Sequence, residues 1–513
     1  MSFVSPFGQL KVYSLSVDIR VNHRLTYSEN ETHGKIIFNL LKYKKRNNQR
    51  QRSDKMSKSA ALVKNFTQEN IPKSMLVFML PFMASNAFQV LYSAVDMIIV
   101  GQFVGKAGLA AVSMCGQLLN FSTMLCTGLC TGGQVLISQL IGAERKQELG
   151  RVTGTLFSFV LLLALSFSVL LLAFHTRILD LLNTPAPSYD MAVDYLVICG
   201  IGLLFSFGYN MVSAVLRGMG NSKHPFMFIT LASVLNLVLD LLFTGYLGWG
   251  VAGGAAAATM IGQAVSFIFS LFFLYHHQEQ FGFDFKLQNW KMNPVYLKAI
   301  AKQGIPLALS SSAVYFSMFY VNSLINKAGV VAAAAFGVGI KIDDVCTKIS
   351  LGVRYAASPM IAQNYAAQKM KRVKSTVYWA WIYSFVFHGI FMLIYLMFGR
   401  QLFALFTSDP EVLSMAPVFV RAIIWTFIGL GILRGSNSFI QGIGNAKLSL
   451  CLGILDGVVF RIGLSYFFGI FMDWGFYGFV LGYGLAPFGA AIPGVIYFCS
   501  GVWKRRKSIV DTL

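Results

Sequence analysis

Charge is what this sequence has least of. Only 12% of its 513 residues are charged, about half the roughly 25% of an ordinary soluble domain. The charge that remains sits in short stretches between apolar runs. Those runs reach the about 20 residues that a helix needs to cross the hydrocarbon core of a bilayer. Alternating segments of about 10 residues, which a transmembrane barrel requires, are absent. Signatures of intramembrane or nucleotide chemistry are also lacking: no HExxH, no DDxxD and no GxxxxGK[ST] occurs. An intramembrane enzyme is therefore the weak alternative, and an ion gradient rather than ATP is the expected energy source. The seven Cys are odd in number and lack CxxC spacing. They read as small packing residues rather than disulfides or metal ligands, and no cofactor is expected.

Positive charge is what the chain does have, with a net +21. In a soluble protein that balance would suggest nucleic acid. Here the basic residues alternate with the spans, so no nucleic-acid partner is expected. Residues 1–55 hold eleven Lys/Arg against four Asp/Glu and include the run Lys42-Tyr43-Lys44-Lys45-Arg46. No apolar region follows that would complete a signal peptide. Residues 1–67 read as a basic, disordered cytoplasmic extension suited to anionic lipid, with a start at Met56 as the alternative.

Twelve apolar spans are predicted, near 73–101, 107–133, 152–174, 192–216, 226–247, 251–275, 299–326, 330–357, 376–398, 416–440, 447–471 and 475–500. Basic residues fill alternate connections: Arg145, Lys146 and Arg151; Arg217 and Lys223; Lys286, Lys291 and Lys298; Lys369, Lys371, Arg372 and Lys374; Lys447; and Lys504-Arg505-Arg506-Lys507. The opposite connections hold few. The positive-inside rule then places both termini in the cytoplasm, with the plasma (inner) membrane as the expected location.

A shift of 224–225 residues superposes the halves. Leu80-Pro81 falls on Ile305-Pro306, and Trp249-Gly250 on Trp474-Gly475. Arg217-Gly218-Met219-Gly220-Asn221-Ser222-Lys223 falls on Gln441-Gly442-Ile443-Gly444-Asn445-Ala446-Lys447. Six spans per repeat is an even number, so both repeats enter the membrane with the same polarity. The predicted fold is all-α and polytopic, with two six-helix lobes related by a pseudo-two-fold axis along the membrane normal. Lobe boundaries of 68–275 and 299–500 follow, with a cytoplasmic linker at 276–298 and a basic tail at 501–513.

On this frame the chain resembles the multidrug and toxic compound extrusion (MATE) family of cation-coupled exporters. The carrying features are Leu80-Pro81 through Val95-Asp96 to Val100-Gly101, then Gly108-Leu109-Ala110-Ala111-Val112 and Gln139-Leu140-Ile141-Gly142-Ala143. The paired Gly-x-Gly-Asn-x-Lys turns and Leu235-Asn236-Leu237-Val238-Leu239-Asp240 complete the set. The resemblance covers about residues 68–500 and is closest to the DinF-like branch. It implies export of amphipathic, often cationic, drugs in exchange for H⁺ or Na⁺. It also implies a cation site in the N-terminal lobe at Asp96, Asn236, Asp240 and Thr259. Related branches carry further acids in spans 7 and 10, but residues 299–326 and 416–440 contain no Asp or Glu.

The residues themselves point the same way. A carboxylate inside an apolar span is expensive and tends to line a polar cavity. Asn236 and Asp240 are spaced i, i+4 and so share a helix face, while Asp96 and Asp240 both lie toward the outer ends of their spans. Two such carboxylates can share a proton and release it to a more alkaline side. With the Asn236 carbonyl and the Thr259 hydroxyl they can equally form an oxygen nest for Na⁺. Pro81 lies in the span of Asp96 and permits a kink, so it is a candidate hinge. Gln89, Tyr92, Tyr315, Met318 and Trp425 are candidates for the substrate cavity. Asp343 and Asp344, with Arg354, are further candidates there, or else form an ion-pair network with Lys341 and Lys348. Asp456 and Arg461 are expected to be structural charges. Five residues is about 140° of a regular helix, so they are not expected to pair directly. Arg461 occupies the repeat position of Asn236. A flippase for lipid-linked sugars is the alternative within transport. It would favour a basic cavity, whereas the N-lobe charges are acidic. A monomer is expected.

Overall fold

The computed structural model describes residues 62–283 and 285–513. The basic run at 42–46 and the alternative start Met56 lie outside the described residues. Residues 62–67, expected to end a disordered extension, are instead packed. Phe66 is fully buried, and its N–H donates to Gln363 Oε1 at 2.8 Å.

Twelve helical spans follow among the described residues. The first lobe holds α1 (Ile71–Phe103), α2 (Lys106–Gly142), α3 (Leu149–Leu181), α4 (Ala186–Gly218), α5 (Lys223–Tyr246) and α6 (Gly253–His276). The second holds α7 (Pro294–Asn326), α8 (Val330–Ala366), α9 (Met370–Ala404) and α10 (Pro410–Ile423 with Trp425–Gly442). It ends with α11 (Ala446–Phe471) and α12 (Gly475–Ser500). Ten of these are long and apolar enough to cross a bilayer by composition, and the two halves of α10, bent by 41°, make an eleventh. The remaining span, α8, departs because Lys341, Asp343, Asp344 and Lys348 interrupt its apolar run.

Local sequence sets the helix starts. Asn70, Asn293 and Asp409 accept hydrogen bonds from Lys73, Val295 and Glu411 N–H, and a proline stands in the first turn of each helix. The backbone repeats as the sequence does. Left-handed residues pair at the same offset: Gly105 with Gly329, Glu144 with Gln368, Gly248 with Asp473, and Gly250 with Gly475. Gly220 and Gly444 (φ 82° and 75°) close α4 and α10 in a conformation that glycine adopts without strain.

The lobes meet through α1 and α2 on one side and α7 and α8 on the other. Between α2 and α7 the backbones touch: a Cβ at Gly132 would lie 2.7 Å from Gly304 N, and one at Gly128 would lie 2.6 Å from Ala308 Cα. Small residues permit that approach, as at membrane helix crossings generally. The ties between the lobes gather at the end where the basic residues lie. Gln139 Nε2 donates to Gly442 O at 3.0 Å, and its Oε1 accepts from Ile509 N at 2.8 Å. Arg145 Nη1 donates to Val510 O at 2.9 Å, so the C-terminal tail is folded against the first lobe. Ties nearer the middle are Asn86 Nδ2 to Lys348 O (2.7 Å) and Tyr315 O–H to Gln117 O (3.3 Å). Beyond them, the Lys348–Asp344 ion pair (2.7 Å) leaves both side chains nearly half exposed in mid-helix. Among the described residues, no hydrogen bond or ion pair joins the lobes nearer the end that bears Val104 and Gly329.

Candidate functional site

Three N-lobe helices, α1, α5 and α6, build the acidic site. The last regular turn of α5 carries Asn236 and Asp240, 5% and 1% exposed. After Asp240 the helix widens into π-type turns over Leu241–Tyr246, and α6 is entered through similar turns at Gly250–Ala256. Such widenings recur at functional sites. Gly262 of α6 lets the two helices close up, since a Cβ there would lie 3.3 Å from Asn236 Cβ.

Asp96 approaches from α1, half-buried, and its carboxyl lies within electrostatic reach of that of Asp240. Both oxygens of Asp240, Oδ1 of Asp96 and Nδ2 of Asn236 are buried without a hydrogen-bond partner. An acid whose close polar neighbour is another acid finds only acceptors. A shared proton or a bound cation would satisfy both. Tyr92, Asn236 and Thr259 line one narrow cavity beside these acids, together with Ser233 and Gln263.

The structure therefore brings Asp96, Asn236, Asp240, Thr259 and Tyr92 together. Gln89 is half-buried on α1, three residues before Tyr92. Pro81 lies inside α1, and its carbonyl accepts from Ser85 Oγ at 2.8 Å. Sequence reasoning did not single out Ser233, Gln263 or Tyr195, whose ring lies within electrostatic reach of Asp96. A usable signal was there: Ser233 precedes Asn236 by three residues, and Gln263 follows Thr259 by four, each on the same helix face.

In the second lobe the arrangement differs. Tyr315 contacts Phe121 of α2 at 5.9 Å between ring centroids, while Met318 packs against the C-lobe core. Trp425 stands exposed at the bend of α10. Asp344 pairs with Lys348, whereas Asp343 is 5% exposed with Oδ1 unpartnered and with Arg461 and Arg434 within electrostatic reach. Arg354 does not pair with either acid and lies 5.4 Å from the centroid of the Tyr355 ring.

The expectation that Asp456 and Arg461 do not pair is overturned. Arg461 Nη2 donates to Asp456 Oδ1 at 2.9 Å, both buried, and the guanidinium lies 4.4 Å from the Tyr483 ring centroid. The reason is local geometry. Leu455–Ile462 is π-helical, with i→i+5 bonding, so a five-residue spacing comes back to nearly the same face.

Known proteins resemble this chain in sequence and, where solved, in fold. A probable multidrug resistance protein of Bacillus subtilis, YpnP, is 28% identical over 451 residues, spanning 87% of this chain and 99% of its own length. The multidrug export protein MepA of Staphylococcus haemolyticus is 24% identical over 77% of this chain and 86% of its own. A solved structure described as the outward-facing conformation of a multidrug resistance MATE family transporter of the MOP superfamily superposes with a TM-score of 0.81. It is 23% identical and covers 86% of this chain and 98% of that one. The MatE family profile matches twice, at residues 81–242 and 306–467, one match for each repeat of the duplication. The chain belongs to the MatE family.

Proposed function

We propose that this protein exports amphipathic, often cationic, drugs by alternating access, in exchange for H⁺ or Na⁺ bound in the N-lobe. One observation carries the reading: Asp240, 1% exposed, has both carboxylate oxygens without a donor and faces a second acid, Asp96. A cation bound there removes the repulsion between the acids and satisfies their oxygens. The protein thereby acquires two states that a gradient can bias. A gradient supplies about 2.3 kcal/mol per charge for each 100 mV.

Asn236 and Thr259 complete the oxygen set, and Pro81 is the hinge through which occupancy of the site alters α1. Tyr92, Gln89, Tyr315, Met318, Trp425, Asp343 and Asp344 are the proposed cargo contacts. The basic end of the molecule faces the cytoplasm of a cell whose plasma membrane holds the protein as a monomer. On that orientation the ties between the lobes gather at the inward end, which supports an outward-open state, the one in which cargo leaves and the coupling cation enters. Gradient-driven efflux measured with Asp240→Asn tests the reading. An intramembrane enzyme or a flippase finds less support, since the most deeply buried unpartnered charge of the N-lobe, Asp240, is an acid.

A further inference from the structure

Two segments outside the twelve spans cross from one lobe to the other at the basic end, and both are gripped in the same way. Residues 62–67, ahead of α1, touch the first lobe where Lys64 N–H donates to Met219 O at 2.9 Å. They then reach Gln363 of α8, whose Oε1 accepts from Phe66 N at 2.8 Å and whose Nε2 donates to Lys64 O at 3.1 Å. The C-terminal tail does the converse. Tyr365 O–H ties it to the second lobe through Trp503 O at 3.0 Å. Its end reaches the first lobe, where Ile509 N–H donates to Gln139 Oε1 at 2.8 Å.

Gln139 and Gln363 are equivalent positions of the two repeats, and both are fully buried. The seats for the strap side chains are equivalent too. A Cβ at Gly220 would lie 3.0 Å from the Phe66 ring, and one at Gly444 would lie 2.7 Å from the Ile509 side chain. Each strap thus sets a side chain on the left-handed glycine turn of one lobe and an amide on the glutamine of the other. The straps themselves are not copies, since one precedes the first span and the other follows the last. The repeat copy of residues 62–67 lies in the linker before α7, where Trp290 packs on Phe157 of α3 at 4.5 Å instead.

Duplication therefore accounts for the two grips but not for their two occupants. A glutamine amide offers a donor and an acceptor to a passing backbone, without charge. Water replaces such neutral bonds at little net cost when they part, whereas charge-assisted pairs hold about twice as strongly. That chemistry suits a contact that is broken and remade in every cycle.

We propose that the two straps are latches that hold the lobes together at the basic end, and that both release before that end opens. Separation of the lobes draws Gln363 away from the Gly220 turn and Gln139 away from the Gly444 turn, so neither strap stays seated on both sides. The inference rests on the reading of the protein as an alternating-access exporter and identifies what sets the balance between its two access states.

The test reads the distance between spin labels at Lys146→Cys and Lys371→Cys, exposed beside the starts of α3 and α9, by pulsed electron paramagnetic resonance. The full-length protein is held in lipid vesicles without cargo or gradient, with the exposed Cys451 and Cys499 changed to Ser. Gln363→Leu is expected to raise the ratio of long to short distances about tenfold, and Gln139→Leu with Gln363→Leu about a hundredfold. Removal of residues 508–513 should match Gln139→Leu while leaving every span intact, which guards against a misfolded glutamine variant. Wild-type distances in both the double variant and the truncation overturn the inference, even where the melting temperature falls, because the straps then only brace the fold. Dye efflux is measured separately: a wild type that exports nothing would reject the export reading, while the distances still decide this one.

Discussion

Arg461 holds Asp456 at 2.9 Å across a five-residue spacing, at the position of the second repeat where the first has Asn236. Asp456 is thereby neutralised within its own helix, while the N-lobe keeps two acids, Asp96 and Asp240, with carboxylate oxygens that lack donors. The duplication supplied two copies of one frame, and the π turn at Leu455–Ile462 converted one copy into a brace.

Removing one member of that brace should be costly. Asp456→Leu leaves a buried, uncompensated guanidinium and is expected to destabilise the protein by about 3 kcal/mol. The double variant Asp456→Leu with Arg461→Met should recover most of the loss. Thermal unfolding of the purified variants checks this, and a double variant as unstable as the single one would argue against an ion-pair role.

The α2–α7 crossing predicts a second effect. Gly132→Val drives a side chain into the Gly304 backbone, at an expected cost of about 1–3 kcal/mol. Gly116→Ala on the same helix meets open space and serves as the control. Equal melting temperatures for the two variants would mean that the lobes do not need this close approach.

Pro81→Ala tests the hinge. The variant should retain its melting temperature yet export more slowly, because a straight α1 no longer responds to occupancy at Asp96. Wild-type efflux from Pro81→Ala would remove Pro81 from the mechanism.

Thr259→Val separates ligand from neighbour. Losing one neutral oxygen should cost about threefold in efflux, well short of the loss from Asp240→Asn, which removes a charge. If the two variants fall equally, Thr259 does more than complete the oxygen set.

Much of this was legible in the sequence. Apolar run length located the spans, and the repeat offset located the lobes. Paired left-handed positions such as Gly220 and Gly444 mark both copies in the structure. Asp96 and Asp240 stood out because carboxylates are rare in apolar runs. The Asp456–Arg461 pair was misread because a regular 100° per residue was assumed where the helix widens. The place of Arg217 was hidden for another reason: it reads as loop charge until the fold brings its guanidinium to 4.9 Å from the ring centroid of Tyr355 on α8. A deep ion-pair partner or a gate residue depends on tertiary approach, which periodicity does not encode.

The central claim is that a cation held by Asp96 and Asp240 drives export. The direct measurement is dye efflux from vesicles under a proton gradient and, separately, a sodium gradient, comparing wild type with Asp240→Asn. Wild-type efflux should rise under one of the two gradients, and Asp240→Asn should lose that increase while still binding dye. Undiminished efflux by Asp240→Asn under both gradients would contradict the account.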